Sequence, residues 1–160
     1  MKCLAKRFFT ILIAVICCVP LFLFGACEKE GKEGKVQAFY DKVVESQKCL
    51  DDVADDIYSY WYDAIYKDKY SSIDTAILYA QMDNSENLAI IEANEPEIQS
   101  LYKKVRDSEF STEIKAVMSA YSDYYEFVVN VSGSFNSYSA NKETLKKELA
   151  SALKDLALEI

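Results

Sequence analysis

Four aspartates stand close together in the sequence, at Asp51, Asp52, Asp55 and Asp56. On a helix, Asp51 lies one turn from Asp55, and Asp52 lies one turn from Asp56. Like charges at this spacing destabilise an isolated helix by about 0.2–0.5 kcal/mol per pair, so a divalent cation or a basic partner would relieve them. A calcium site normally also takes backbone oxygens from a loop. The pattern therefore favours a solvated helix face over a metal site, and a contact with a basic protein or peptide is the remaining interpretation.

Aromatic side chains follow at four-residue steps, at Tyr58, Tyr62, Tyr66 and Tyr70. If the helix continues, they form a ladder along its flank, with Trp61 beside them on the core stripe. Tyrosines at a flank bury a large area while their hydroxyl groups reach water, so they can simply shield the sides of a narrow bundle. Tyr and Trp are also enriched where partners anchor. These residues are therefore candidates for a partner-binding surface; stacking on sugar rings is a further option that the spacing does not single out.

Most catalytic chemistry is disfavoured by what the chain lacks. It contains no His, which removes His-based triads, His-containing metal sites and the usual base near neutral pH. Gly31, Gly34 and Gly133 do not form a phosphate-binding loop. Catalytic bundles usually carry inward Glu and His at helical spacing, and these stripes carry neither. We therefore predict that the protein is not an enzyme and uses no cofactor.

The N-terminus has the features of an export signal. Three basic residues open it: Lys2, Lys6 and Arg7. An uncharged apolar run over residues 8–24 follows and ends in Gly25, Ala26 and Cys27. Over residues 1–27 only, this resembles the signal peptides of bacterial lipoproteins, although Phe24 stands where that class usually has Leu. The resemblance implies a cleaved signal peptide over residues 1–26 and a diacylglycerol on the Cys27 thiol, hence a lipid anchor in the cell membrane.

Two other interpretations of the same segment stay open. The apolar run is close to the roughly 18 residues that a spanning helix needs, so it can remain uncut as a membrane anchor, although Pro20 interrupts it. It can also be an ordinary secretory signal that is cut nearby. All three interpretations place residues 28–160 outside the cytoplasm.

The charge and the cysteines after residue 27 narrow the class of partner. Fifteen Lys and Arg against 26 Asp and Glu give this part a net charge of −11. A negatively charged domain is repelled by nucleic acid and by an anionic membrane surface, so cationic partners are favoured. Cys49 is alone after Cys27 and cannot form an internal disulfide. We predict that it is a small apolar residue on a helix flank rather than a reactive or dimer-forming thiol.

Residues 28–35 contain no apolar side chain and two glycines, which predicts a flexible charged spacer after Cys27. From Val36 onward, apolar residues recur every seven positions as far as Ala64 and predict one long amphipathic helix, followed by a turn over residues 67–72. A second helical stretch over residues 72–106 is interrupted by Pro96. We expect a kink or a restart there, with Asn94 as its cap.

A third helix is predicted from Ser111, with a seven-residue repeat that reaches Phe135. Asn141 is the predicted cap of a fourth helix with a leucine stripe. Because no segment alternates with the period of a strand, we predict an all-α fold: an up-down-up-down four-helix bundle with a kinked second helix over residues 36–160. This length is enough for one core and therefore for one domain.

These features together predict a membrane-tethered, non-enzymatic helical binding module outside the cytoplasm. Its tether is the lipid on Cys27, and its partner is a protein or peptide, with a cationic one favoured. The predicted partner-binding residues are Tyr58, Trp61, Tyr62, Tyr66, Tyr70, Asp51, Asp52, Asp55 and Asp56. The alternative is a lipoprotein that holds a small apolar ligand between its helices. Binding of a cationic peptide should weaken with salt, whereas binding of an apolar ligand should be nearly indifferent to salt.

Overall fold

The computed structural model describes residues 31–160 of the chain. The predicted signal peptide over 1–26, the lipid site at Cys27 and residues 28–30 of the spacer lie outside the described residues, so these predictions remain predictions. Residues Lys35–Ile160 form one compact unit. The described part is all-α, with α1 (Lys32–Tyr66), α2 (Ile73–Asp83), α3 (Ser85–Val105), α4 (Ser111–Val129) and α5 (Phe135–Ala157), and without strands. No helix in this part is long and apolar enough to cross a membrane.

The long first helix, α1, is present as the seven-residue repeat predicts. Its stripe from Val36 to Ile57 is fully buried. The helix begins at Lys32, however, inside the predicted spacer. Lys and Glu are good helix formers, so they can extend a helix that its apolar stripe already fixes. The helix ends at Tyr66, shortly before Asp68, whose positive φ of 49° cannot continue a right-handed helix.

The second helical stretch is broken at Asn84 and not at Pro96, so the described chain has five helices and the predicted four-helix bundle is not confirmed. The Asn84 side chain donates to the carbonyl of Ala80 at 3.0 Å and thereby competes with the backbone ladder of α2. The predicted restart at Pro96 is wrong, because α3 continues through this exposed residue. Asn94 is not a cap: it is buried and donates to the Ser46 hydroxyl at 3.1 Å.

Side-chain contacts show how the helices run against α1. Along α2 and α3 the contacts proceed backward along α1: Tyr60 with Asp83, Asp56 with Asn84, Ser46 with Asn94, and Lys42 with Glu97. Along α5 they do the same: Ala54 with Tyr138, Asp55 with Lys142, and Asp51 with Lys146. Hence α3 and α5 are antiparallel to α1, and the end of α2 lies against the C-terminal part of α1.

The turn between α4 and α5 differs from its prediction. Helix α4 ends at Val129, and Phe135 opens α5 instead of extending the repeat of α4. Ser134 caps α5: it accepts from the Ser137 backbone N–H at 3.2 Å, and the Ser137 hydroxyl accepts from the Ser134 N–H at 2.9 Å. Gly133 has a φ of 90°, and a Cβ there would lie 2.9 Å from Ser137 Oγ. Asn141, the predicted cap, is an exposed residue inside α5.

The core draws large side chains from every helix except α2. Its largest fully buried members are Tyr121, Tyr124, Tyr138, Phe39, Leu50, Ile57, Ile91, Ile98, Ile114, Leu149, Leu156 and Val36. Helix α2 buries only Ala76 and Ala80. Cys49 is a free, buried thiol at the edge of the core, as predicted, and burial raises its pKa above the ordinary value.

We expect Ser134→Ala to lower the free energy of unfolding by about 1 kcal/mol, because the N-terminal N–H groups of α5 lose their side-chain acceptor. The matched control is Ser132→Ala, since Ser132 is exposed and lies in the same loop. Urea unfolding followed by far-UV circular dichroism measures both changes. Equal destabilisation by the two variants would contradict a capping role for Ser134.

Candidate functional site

The four predicted acidic residues do not form one negative face, because α5 neutralises two of them. The Asp55 carboxylate binds the ammonium group of Lys142, which is buried. Lys146 Nζ lies 3.3 Å from Asp51 Oδ2 and 3.4 Å from Asp55 Oδ2. The Tyr124 hydroxyl also donates to Asp51 Oδ1 at 2.9 Å. Asp51 and Asp55 therefore join α1 to α4 and α5.

The pKa shifts in this network agree with paired charges. Burial alone would raise the pKa of Asp55, but the hydrogen bond and charge of Lys142, together with Lys146, hold it below the ordinary value of 3.8. Burial would likewise lower the pKa of Lys146, and the nearby charges of Asp51 and Asp55 raise it above the ordinary value of 10.5. These groups are thus ionised and paired at neutral pH.

The other two aspartates lie on a different side of α1. Asp56 Oδ2 accepts from the Asn84 side chain at 2.7 Å and so holds α1 to the break between α2 and α3. Asp52 is exposed. Over residues 31–160, no group of His, Cys, Asp and Glu is arranged to hold a metal ion. Three of the four aspartates are therefore engaged by other side chains of the described residues, and Asp52 is exposed to solvent.

Three of the predicted tyrosines form one surface with a phenylalanine from α5. The ring centroids of Tyr58 and Tyr62 are 6.4 Å apart, and those of Tyr62 and Tyr66 are 4.7 Å apart. Phe135 lies against all three, at 5.1, 6.2 and 6.0 Å respectively. We call these four residues the tyrosine face. Tyr62 is 39% exposed and Tyr66 is 60% exposed, so the face is open to solvent at its outer end.

Trp61 supports this face from beneath. Its side chain is buried, and its ring lies 6.1 Å from Phe135 and 5.5 Å from Tyr138. No hydrogen-bond partner for the Trp61 indole N–H is found in the described part of the chain. Trp61 is therefore a packing residue under the tyrosine face and has little surface with which to touch a partner directly.

Tyr70 does not join the tyrosine face. Because α1 ends at Tyr66, the chain turns and Tyr70 stacks on Tyr60 at 5.4 Å instead. At about 100° per residue, Tyr60 points to the opposite side of α1 from Tyr58 and Tyr62. The predicted four-step ladder is thus three residues long, since it depends on a helix that stops before Tyr70.

A second aromatic cluster results, at the junction of α1 and α2. Tyr70 packs on Tyr79 of α2 at 6.0 Å, and Lys69 Nζ lies 5.6 Å from the Tyr60 ring. The Tyr60 hydroxyl donates to the Asp83 carboxylate, and this bond raises the pKa of Tyr60 to about 12. The cluster connects the C-terminal ends of α1 and α2.

A groove of about 430 Å³ lies beside the tyrosine face. Its lining residues are Asp55, Tyr58, Ser59, Tyr62, Asp63, Lys67 and Lys142. Two ion pairs border the groove: Asp55 with Lys142, and Asp63 with Lys67 at 2.7 Å. Their aspartates stand about two turns apart along α1. Each ammonium group also lies over a ring, Lys142 at 4.7 Å from Tyr58 and Lys67 at 5.5 Å from Tyr62. The groove thus offers an aromatic floor with a hydrogen-bond donor and acceptor at each end.

Several members of this site are not predicted by the sequence pattern. The seven-residue repeat of the third predicted helix extends to Phe135 and so places this residue in the wrong helix. The signal for its true position was the serine pair at Ser134 and Ser137 directly after Gly133, which marks a helix start. The lysines of the groove carried no signal, because pairing between α1 and α5 depends on tertiary packing.

The third helix of the prediction contributes tyrosines to the core and not to the surface. Tyr121 is fully buried between α3 and α1, and burial, with the nearby Glu95, raises its pKa well above the ordinary range. In the described residues, neither the Tyr121 hydroxyl nor Glu95 Oε2 has a hydrogen-bond partner. This part of the interior is therefore polar.

No protein-family model, curated protein or solved structure matches this chain. Its function must therefore be argued from its own residues.

We expect Lys142→Met to lower the free energy of unfolding by about 1–2 kcal/mol, because Asp55 loses the nearer of its two lysine partners and keeps only Lys146, while remaining half exposed to water. Lys147→Met is the matched control, since Lys147 is exposed on the same helix. Because the pKa of Asp55 is lowered in the folded state, its contribution is present above pH 3.8 and is lost as the pH falls through the lowered value.

Urea unfolding of Lys142→Met, Asp55→Asn and the double variant, at neutral pH and over an acid series that passes through the lowered pKa of Asp55, measures this coupling. A coupling of about 1 kcal/mol at neutral pH that disappears in acid is the expected result. Strict additivity of the two changes at neutral pH would show that the ion pair does not stabilise the fold.

Proposed function

We propose that the chain is a non-enzymatic binding module, tethered outside the cytoplasm to the cell membrane by a lipid on Cys27. It engages a protein or peptide partner through the tyrosine face. The observation that carries this proposal is the exposure of Tyr66 and Tyr62, at 60% and 39%, beside other aromatic rings. Contiguous exposed aromatic side chains are typical of surfaces at which partners anchor.

The packing of these rings supports a binding role. Tyr62 and Tyr66 each lie against Phe135, which opens a capped helix, so one side of each ring is already packed. Ordering side chains on binding costs about 0.5–1.5 kcal/mol for each flexible one, and rings that are already held in place avoid much of this cost. The groove adds ion pairs at the edge of the face, where they can orient a partner.

The contributions of the predicted site residues differ in this proposal. Tyr58, Tyr62 and Tyr66 supply contact area, and Trp61 supports them from below. Asp51 and Asp56 hold helices together, whereas Asp55 lines the groove and Asp52 is exposed. Tyr70 belongs to the cluster at α2. The proposed contact surface is therefore smaller than the sequence predicts, and it gains Phe135.

We infer further that the scaffold is an up-down-up-down bundle of four arms, in which α2 and α3 together form the second arm. The antiparallel contacts of α3 and α5 with α1 support this arrangement. Phe127 of α4 stacks on Tyr138 near the start of α5, at 4.6 Å, and Ala120 shares a groove with Ala152 nearer its end. These contacts indicate that α4 runs opposite to α5.

The tether and the charge suit capture near a membrane. The N-terminus resembles a lipoprotein signal, and the part after residue 27 carries a net charge of −11. This charge raises the encounter rate with cationic partners at low ionic strength. The alternative, an apolar ligand within the bundle, remains a proposal without an observation that favours it, and its affinity would change little with salt.

Site-specific photo-crosslinking tests the tyrosine face. We expect a photoreactive phenylalanine analogue at Tyr66, in living cells, to give a discrete adduct of higher mass. The same analogue at Lys115, an exposed residue of α4, is the control and should give none. Tyr62→Ala should reduce the yield at position 66 by about tenfold, because it removes a neighbouring anchor.

Equal crosslinking yields at positions 66 and 115 would contradict a specific contact at Tyr66. An unchanged yield at position 66 in Tyr62→Ala would contradict it as well. Circular dichroism of each variant confirms that the comparison is made on folded protein.

Mass spectrometry of the purified protein tests the lipid anchor. We expect Cys27→Ser to leave an unlipidated chain that keeps its signal, because the thiol is the acceptor of the lipid. Mass spectrometry of the natural chain should show a diacylglycerol on Cys27 and an N-terminus at this residue, and Ala26→Ser should show the same. A natural chain that retains residues 1–26, or that begins elsewhere, would support one of the other two interpretations of the N-terminus.

A further inference from the structure

Helix α2 buries two alanines and exposes three of its large apolar residues. Ala76 and Ala80 are fully buried, whereas Leu78, Tyr79 and Met82 are 55%, 47% and 57% exposed. We call these three exposed residues the α2 face. At about 100° per residue, Leu78 and Met82 project within about 40° of each other and Tyr79 stands beside them. Ile77 is half-buried against the core, so α2 still buries less of its large apolar surface than an amphipathic helix usually does.

The position of α2 does not depend on these three side chains burying themselves. The inward alanines let its backbone lie close to the rest of the unit. Its N-terminus is capped by Ser72, which accepts from the Thr75 N–H at 3.1 Å. At its other end, Asn84 binds Asp56 and Asp83 binds Tyr60. The apolar face is therefore presented on a helix that other contacts already fix.

The carboxylates on and next to α2 belong to Asp74, Asp83 and Glu86, which are exposed. Asp74 stands one helical turn before Leu78, Asp83 accepts from the Tyr60 hydroxyl, and Glu86 lies in the first turn of α3. Residues 70–102 contain neither Lys nor Arg. Lys69, the lysine beside Tyr60 and Tyr70, is paired with Asp63 at 3.2 Å. The carboxylates next to the α2 face are therefore not balanced by a basic residue of this stretch.

These properties select the kind of occupant. An anionic membrane surface or a nucleic acid would be repelled. A second copy of this chain docked on the same face would bring Asp74 and Glu86 of both copies together. A short helix with an apolar stripe and flanking Lys or Arg side chains matches both properties, since its stripe covers the apolar residues while its cations meet the carboxylates. Met82 adds an unbranched side chain that adapts to different apolar partners.

We propose that the α2 face binds a cationic amphipathic helix, with its apolar stripe on Leu78, Tyr79 and Met82. Its basic side chains lie toward Asp74 and Glu86. This inference goes beyond the tyrosine face, with which it shares no residue. The Tyr60 and Tyr70 rings next to Tyr79 stand on the opposite side of α1 from that face. The two proposals therefore rest on different residues and can be tested independently.

The test uses the full chain in nanodiscs of zwitterionic phosphatidylcholine, with empty nanodiscs as the blank. The probe is a fluorescent helical peptide of about 18 leucine and lysine residues arranged to give one apolar stripe. A peptide of the same composition in scrambled order is its control. Binding is measured by fluorescence anisotropy at about 0.05 M and about 0.5 M salt.

We expect the amphipathic peptide to bind more tightly than the scrambled one. Leu78→Gln combined with Met82→Gln should weaken its binding about tenfold. Leu158→Gln, at an exposed leucine beyond α5, is the matched control and should leave binding unchanged. Asp74→Asn combined with Glu86→Gln should weaken binding at low salt and reduce its salt dependence. Tyr66→Ala should have no effect, which separates this result from the test of the tyrosine face.

Three outcomes would overturn the proposal. The first is equal binding of the scrambled peptide, and the second is unchanged binding by the Leu78 and Met82 double variant; either would show attraction by charge alone. The third is a dimer of the natural chain, seen by analytical ultracentrifugation, that dissociates in the double variant. That result would assign the α2 face to a second copy of the chain. Because the replaced side chains are exposed, all variants are expected to fold, and circular dichroism checks this.

Discussion

The contact between Lys142 and Asp55 restricts how α5 packs on α1, and the arrangement of the candidate site depends on that packing. It places a buried ammonium group of α5 against the long helix α1, where it also covers the Tyr58 ring. A buried lysine is tolerated only when its charge is paired, so the register of α5 on α1 is strongly restricted. That register brings Phe135, at the start of α5, to the tyrosines of α1.

The same pairing changes where the negative charge of the molecule acts. Asp51 and Asp55 form ion pairs with lysines of α5, and Asp56 accepts a hydrogen bond from Asn84 at the break between α2 and α3. The carboxylates of α2 and α3 lie in a stretch without basic residues, and they remain largely unpaired in the described chain. Charge density along the sequence is therefore a poor guide to charge density on the surface, because pairing occurs between segments distant in sequence.

Helical periodicity predicted the all-α class and the buried stripe of α1 correctly, because burial of one face is a property that a single helix carries in its own sequence. It failed where two local signals compete. At Asn84 a side-chain hydrogen bond to the backbone ends a helix that the apolar pattern would continue, whereas Pro96, on an exposed side of α3, does not end it. Phe135 continued a repeat across a turn that Gly133 and Ser134 create. The groove followed from none of these patterns, since its lysines come into position only by packing.

The burial of Trp61 gives the molecule an internal optical reporter. It is the only tryptophan in the chain, it is 4% exposed, and its indole lies between Phe135 and Tyr138. Its emission spectrum is therefore governed by one buried environment directly under the tyrosine face, where Phe135 lies against it. A rearrangement of Phe135 would alter the polarity around this single fluorophore. A structural change at the tyrosine face would therefore shift the wavelength of the Trp61 emission maximum, without any added label.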